Sequence, residues 1–218
     1  MISMKLWLGS ILCVALLASC VEQKNHQRNM DDQFADKDYE KGSLDTATLG
    51  TGCFWCTEAI FQRLKGVVKV NSGYSGGDKP NPTYEEVCEG NTGYAEVCQV
   101  IYDPKVVSFD ELLKVFWETH DPTTLNRQGN DVGPQYRSVV FFHTNEQKTK
   151  AEKYKKELNA SGAWADPVVT SVEPYKNFYS AESYHQNYYN NNPRQMYCQY
   201  VIKPKLEKFE KVFKDQLK

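Results

Sequence analysis

The sequence predicts an α+β fold, a two-layer sandwich of helices against a mixed sheet. Three observations carry that expectation. Strand-like and helix-like segments alternate along residues 46–216, in a mixed order rather than as a regular repeat. The run Tyr94–Tyr102 (YAEVCQVIY) alternates in the two-residue period of a strand with one buried face. Ser108-Phe109-Asp110-Glu111 and Thr144-Asn145-Glu146-Gln147 both have the form of a capping box, so a helix is expected to open after each.

Taken in order, Thr46–Thr51 reads as a strand and Phe54–Lys65 as a helix. Gly66–Tyr74, with Val67, Val68 and Val70, is a second strand. The Gly and Pro content of 75–82 marks a loop, and Tyr84–Glu89 a short helix. After the strand Tyr94–Tyr102, the helix opened by Ser108 runs to about His120. Residues 121–135 hold Pro, Gly and Asn and read as a long loop, followed by a strand at Tyr136–His143. The helix opened by Thr144 is charged and runs to about Ala160, and Pro167–Glu173 is a strand. Residues 175–199 are rich in Tyr and Asn and show no period. Leu206, Phe209, Val212 and Phe213 give Lys203–Gln216 a helical spacing.

The first residues have a different chemistry. Lys5 precedes an apolar run from Leu6 to Leu17, and Leu17-Ala18-Ser19-Cys20 places small residues before a cysteine. This is a secretory signal, and it resembles the bacterial lipobox. That resemblance implies cleavage before Cys20, lipid on Cys20, and an extracytoplasmic, membrane-anchored protein of a bacterial envelope. The apolar run falls short of the roughly 20 residues needed to cross a bilayer. Residues 1–19 are therefore expected to be signal peptide, 20–45 a lipidated cysteine and polar tether, and 46–218 the folded domain.

Of 218 residues, 25% are charged and the formal net charge is −2, so no basic field points to nucleic acid. A monomer is expected. Once Cys13 and Cys20 are set aside, Cys53, Cys56, Cys88, Cys98 and Cys198 remain. An odd count is no disulfide scaffold, and at least one thiol is expected to be free or to cycle.

Gly52-Cys53-Phe54-Trp55-Cys56 sits at a strand-to-helix junction. Helix dipoles at such a junction favour thiolate at Cys53. The Cys-x-x-Cys spacing also fits a thiol–disulfide oxidoreductase working through Cys53 and Cys56, or a zinc pair, although no second Cys/His pair has matching spacing. Glu96, between Ala95 and Val97 on a strand, is a candidate proton donor with a raised pKa, or else a surface position. Tyr84 and Tyr136 are candidates for holding a substrate oxygen, or simply contribute area. His185 is one of four histidines. A membrane-anchored module that binds apolar or oxidised side chains through its aromatic residues is the reading without catalysis.

Together these segments resemble the A-type peptide methionine sulfoxide reductase family over about Leu49 to Phe209. The resemblance is carried by Gly52-Cys53-Phe54-Trp55, Gly73-Tyr74-Ser75-Gly76-Gly77, Asn81 to Cys88, Gly93-Tyr94-Ala95-Glu96, Gly129 to Ser138 and Tyr184-His185-Gln186. It implies a ferredoxin-like core with long wrapping loops, and reduction of methionine S-sulfoxide, free or in oxidised proteins. Cys53 would be the nucleophile, Glu96 the proton donor, and Tyr84 and Tyr136 the oxygen-binding hydroxyls. Phe54 and Trp55 would cradle the substrate methyl group, with Asp131 and His185 nearby. Cys198 would resolve the sulfenic acid on Cys53 as a disulfide, and a thioredoxin-like dithiol donor would reset it, with no metal or organic cofactor. Many members have Gly where this chain has Cys56, so Cys56 is structural or competes as a resolving thiol. Beyond residue 98 only Cys198 is available in the tail.

Overall fold

A computed structural model describes residues 43–218. The signal and Cys20 expectations, and the expected tether up to residue 42, lie outside the described residues; Asp45, expected as the end of the tether, opens the first strand. Strand β1 (Asp45–Thr51) leads through helix α1 (Phe54–Phe61) to β2 (Val67–Ser75). A short helix α2 (Tyr84–Cys88) precedes β3 (Ala95–Tyr102), and α3 (Phe109–Thr119) follows. The segment 121–135, expected as plain loop, contains a two-residue hairpin of β4 (Arg127–Gln128) and β5 (Asp131–Val132). Then come β6 (Ser138–Phe142), α4 (Asn145–Ser161), β7 (Ser171–Pro174), β8 (Tyr179–Ser180), α5 (Tyr188–Asn191) and α6 (Lys203–Val212).

The main sheet has the order β7-β6-β1-β3-β2-β8. β3 lies between β1 and β2 and is antiparallel to both, and β6 is antiparallel to β1. Those four strands with α1 and α3 form the ferredoxin-like core. β7 is added parallel to β6, which makes the sheet mixed, and β8 pairs antiparallel with β2.

The strand period decides what faces what. On β3, Cys98, Val100 and Tyr102 pack into the large core shared with α1, α3 and α6, together with Ala47 and Leu49 of β1 and Val140 of β6. Ala95, Val97, Val139 and Phe141 face the other way, where Tyr175 and Phe178 cover them. Glu96 belongs by register to the helix-facing set, and it is 1% exposed. The alternating run therefore carries its carboxyl into the interior, not onto a surface.

Helix α1 is buried on nearly every side, from Phe54 through Phe61 except Trp55. Such a helix must pair its polar side chains internally. The Thr57 hydroxyl meets Thr51 at 2.6 Å, and Glu58 accepts the backbone N–H of Asn187 at 2.9 Å and of Tyr188 at 3.3 Å. The helix ends at Phe61 rather than Lys65. Arg63 and Leu64 bond carbonyls three residues back, the tighter geometry of a terminating turn.

Ser108 and Glu111 form a complete capping box at α3, and Thr83 with Glu86 forms another at α2. Each cap is worth about 1 kcal/mol. Thr144 caps α4, but only half of the expected box exists. The Gln147 side chain instead accepts from His143 N and donates to Thr46 O, tying α4 to the sheet. The strand expected at Pro167–Glu173 shrinks to β7, because its first donors are engaged elsewhere: Val168 N with Asn159 Oδ1, Val169 N with Pro122 O.

Residues 175–202 wrap the sheet edge in short pieces: β8, a 3-10 turn at Ser183–His185, α5, and a π-helical turn at Cys198–Ile202. In that turn Lys203 N–H bonds Cys198 O, five residues back. At Gln186 the side-chain amide accepts Ser72 N–H at 3.0 Å and donates to Ser72 O at 2.9 Å, standing in for one residue of an edge strand. Among the described residues no helix is long and apolar enough to cross a membrane.

Candidate active site

The last residues of β1 deliver the chain to Gly52, whose φ of +94° is open to glycine. A Cβ there would also stand 2.5 Å from the Gln128 side chain. Cys53 follows as the N-cap of α1, 6% exposed. The first helical N–H, that of Phe54, donates to Glu96 Oε2 at 3.0 Å. The carboxyl of Glu96, not the sulfur, thus occupies the donor that sequence reasoning assigned to a Cys53 thiolate.

Burial dominates the electrostatics. It pushes the Glu96 pKa up to about 8, against the bond from Phe54 N, with Asp131 adding to the rise. Glu96 is therefore a protonated acid at neutral pH. Burial likewise raises the Cys53 thiol, reinforced by the neighbouring Cys56 sulfur and by Glu96. The helix-end dipole does not offset these costs, so Cys53 rests as a thiol, contrary to the thiolate expectation. Cys56 is shifted down, first by its hydrogen bond with Cys53 and also by Lys205 and Tyr197.

Of the remaining expected residues only Asp131 lines a cleft with Cys53. Tyr84 and Tyr136 are both raised by burial and both feel the charge of Glu96. Asp131 Oδ2 accepts the Tyr197 hydroxyl at 2.6 Å, and Tyr197 lines the same cleft as Cys53. Phe54 is 1% exposed and packs against Tyr74, so its ring lies within the core. Trp55 is half-buried at the rim, stacked on Tyr188 at 3.7 Å. His185 sits among Phe54, Trp55 and Tyr84, with ring centroids 4.4–5.5 Å away. Its Nδ1 accepts the Trp55 indole N–H at 3.1 Å, which leaves the proton of the neutral ring on Nε2. Burial lowers its pKa, so it is neutral.

A cleft of about 320 Å³ opens on Cys53 and Cys56, walled by Gln128, Asp131, Tyr197 and Lys205. Cys198 is fully buried and lies outside its walls, on the π-helical turn behind Tyr197. The five cysteines among the described residues are all free. No cluster of metal-binding side chains occurs among the described residues, and the zinc reading of Cys53 and Cys56 finds no further ligand there.

Sequence reasoning missed three residues. Glu182 accepts from the Tyr74 hydroxyl and from Tyr84 N, both at 2.9 Å, which fixes the start of α2 and so the position of Tyr84. Tyr197 covers the cysteine pair. Tyr188 covers Trp55. Each lies in the stretch without a period; only the density of tyrosines there signalled a wall of rings.

A thiol and a protonated carboxyl, joined through one helix N-terminus and flanked by tyrosine hydroxyls, define a cysteine-based oxidoreductase on an α+β sandwich. A sequence model of peptide methionine sulfoxide reductases matches residues 45–217. The "Peptide methionine sulfoxide reductase MsrA" of Leptospira borgpetersenii serovar Hardjo-bovis (strain L550) is 54% identical over 77% of this chain and 94% of its own length. That of Saccharolobus solfataricus is 51% identical over 80% of this chain and 98% of its own. Among solved structures, reduced Mxr1 from Saccharomyces cerevisiae is similar with a TM-score of 0.68 and 40% identity, over 74% of this chain and 92% of that one. The methionine sulfoxide reductase A of Corynebacterium diphtheriae gives 0.64 and 38%, over 72% and 78%. The chain belongs to the peptide methionine sulfoxide reductase family.

Proposed function

We propose that the chain reduces methionine S-sulfoxide, free and in oxidised proteins, with Cys53 as nucleophile. The observation that carries this reading is the single hydrogen bond from Phe54 N to Glu96 Oε2, which ties a buried, protonated acid to the residue after the thiol. Cys53 attacks the sulfoxide sulfur as Glu96 protonates the oxygen, which Tyr84 and Tyr136 hold as charge develops on it; the oxygen then passes to Cys53 Sγ as its bond to the substrate sulfur and the transient S–S bond break, and methionine leaves. The proton leaving the Cys53 thiol restores Glu96. Thiol and sulfoxide thus become sulfenic acid and thioether without net proton uptake.

Trp55, backed by Phe54 and His185, receives the methyl group, and Asp131 with Tyr197 borders the substrate backbone. Oxygen toward the acid, methyl toward the indole and chain outward select one epimer. The sulfenic acid ends as a disulfide with Cys198, and a thioredoxin-like dithiol donor returns it to thiols. The chemistry asks for no metal or organic cofactor. Replacing Cys53 by Ser removes methionine release from the S-sulfoxide; turnover by Cys53→Ser would overturn the assignment.

We also assign residues 1–19 as signal peptide, Cys20 as a lipidated N-terminus, 20–45 as tether and 46–218 as the catalytic domain, acting as a monomer outside the cytoplasm. The support is Lys5, the apolar run and Leu17-Ala18-Ser19-Cys20. Metabolic labelling with an alkyne fatty acid should mark the wild type and not Cys20→Ser; equal labelling of both would overturn the anchor.

A further inference from the structure

We propose that a groove beside the Cys53 cleft binds the polypeptide flanking the oxidised residue, and that it selects a large apolar side chain a few positions from the methionine sulfoxide. The favoured substrates are then segments that were packed in a core before oxidation, not lone surface methionines. This rests on the reading of the Cys53 cleft as the place where the sulfoxide is reduced.

The groove encloses about 680 Å³ between the end of α3, the turn after α4, and α6. One wall is a stripe of α6. Lys205, Lys208, Phe209 and Val212 follow the i, i+3, i+4, i+7 spacing of a single helix face. Phe209 is buried, whereas Val212 is 57% exposed, so part of that apolar stripe is left uncovered. Trp117 and Phe213 add buried rings to the lining. Opposite, Gly162 ends α4 with a φ of +66°, and the turn it makes brings Trp164, 36% exposed, to the rim. Single apolar residues scattered on a surface are ordinary, but two at the rim of a ring-lined groove make a site for apolar matter. Lys205 and Lys208 are balanced by Glu118 and Asp121 around the same groove, so it selects by apolar bulk rather than by charge.

The occupant follows from where the groove leads. Gln128 and Lys205 line both the groove and the cleft that opens on Cys53. The Gln128 amide accepts Asp121 N–H at 3.1 Å and donates to Asp121 O at 3.0 Å, so the ridge between the two spaces is pinned. A polypeptide whose sulfoxide lies in the cleft crosses this ridge and lays its next residues in the groove. Methionine fills cores, and its sulfoxide is polar enough to disrupt the core it came from. Its sequence neighbours then include apolar side chains newly exposed, the matter that this groove can cover.

The test uses the full chain with dithiothreitol as reductant. Its substrates are free methionine S-sulfoxide and blocked Ser-rich peptides with one methionine S-sulfoxide and a single Phe at one to five positions on either side. At one or two of those positions Phe is expected to raise kcat/KM about 10-fold over Ser, mainly through KM. Val212→Asp and Trp164→Ser, both at exposed positions, should bring those Phe peptides down to the Ser value and leave free methionine S-sulfoxide unchanged. Equal values across the Phe series would overturn the proposal, as would a preference that survives in both variants. In that case a raised KM for a thioredoxin-like donor in the variants would reassign the groove to the reductant, and a dimer lost in Val212→Asp would reassign it to a second copy. Calorimetry of the same peptides with Cys53→Ser should show the Phe preference in binding. That preference together with full turnover by Cys53→Ser would overturn the nucleophile and leave the groove standing.

Discussion

The two halves of the site are held by different forces. Cys53 and Glu96 sit on β1, α1 and β3, where sheet ladders and a continuous apolar core fix the backbone. His185, Tyr188, Tyr197 and Cys198 sit on the wrapping segment, whose elements run two to five residues. That segment is attached largely by single side chains bonding backbone: Glu58 to Asn187 and Tyr188, Gln186 to Ser72, Glu182 to Tyr84. The acid and nucleophile proposed for bond making are on the rigid half. The residues that must give way when sulfurs change partners are on the half held at points.

The rigid half should respond in rate. Glu96→Gln keeps the shape and removes the transferable proton, so kcat/KM is expected to fall about 100-fold or more. Because the wild-type acid has a pKa of about 8, its rate should decline as pH rises past that value, and Glu96→Gln should lose this alkaline limb. Stability gives an independent check with a defined sign. The folded pKa lies above the ordinary carboxylate value of 4.5, so the folded state keeps a proton that the unfolded state loses. Wild-type stability should therefore drop as pH rises from about 4.5 to 8, and Glu96→Gln should drop less in thermal unfolding across that range.

The wrapping half should respond in affinity and attachment. Glu58→Ala leaves the N–H groups of Asn187 and Tyr188 without their acceptor, which costs about 1–3 kcal/mol in denaturant unfolding. It also frees Tyr188 from its stack on Trp55, so KM for the sulfoxide should rise more than kcat falls. Gln186→Ala should cost least, about 1–2 kcal/mol, since Ser72 O keeps the bond from Ala181 N while Ser72 N–H and Ala181 O lose their amide partner. A large loss of kcat in Gln186→Ala would break the division between the halves.

Legibility in the sequence follows the same line. The alternation of Tyr94–Tyr102 placed Glu96 on a strand, and once β3 proves central its inward direction follows from register with Cys98 and Val100. Capping boxes marked the helix starts because their partners lie three residues apart. Glu182, Tyr188 and Tyr197 were not legible as site residues. Their partners stand 66 to 130 residues away, and no local period records such a bond. The thiolate expectation for Cys53 failed for a related reason. The helix terminus is local, whereas the carboxyl that claims its first N–H comes from another strand.

The amide of Gln186 has a consequence for how the molecule meets other chains. Open sheet edges invite a further strand, and a protein handling damaged, partly extended chains would be especially prone to accept one. Here one edge of β2 is filled at Ser72 by a side-chain amide and at Gly73 and Tyr74 by β8. At the far edge β7 closes on Pro174, which has no N–H to donate. From Ser72 to Tyr74 the edge of β2 is thus closed to edge-to-edge addition, and β7 ends where it lacks a donor.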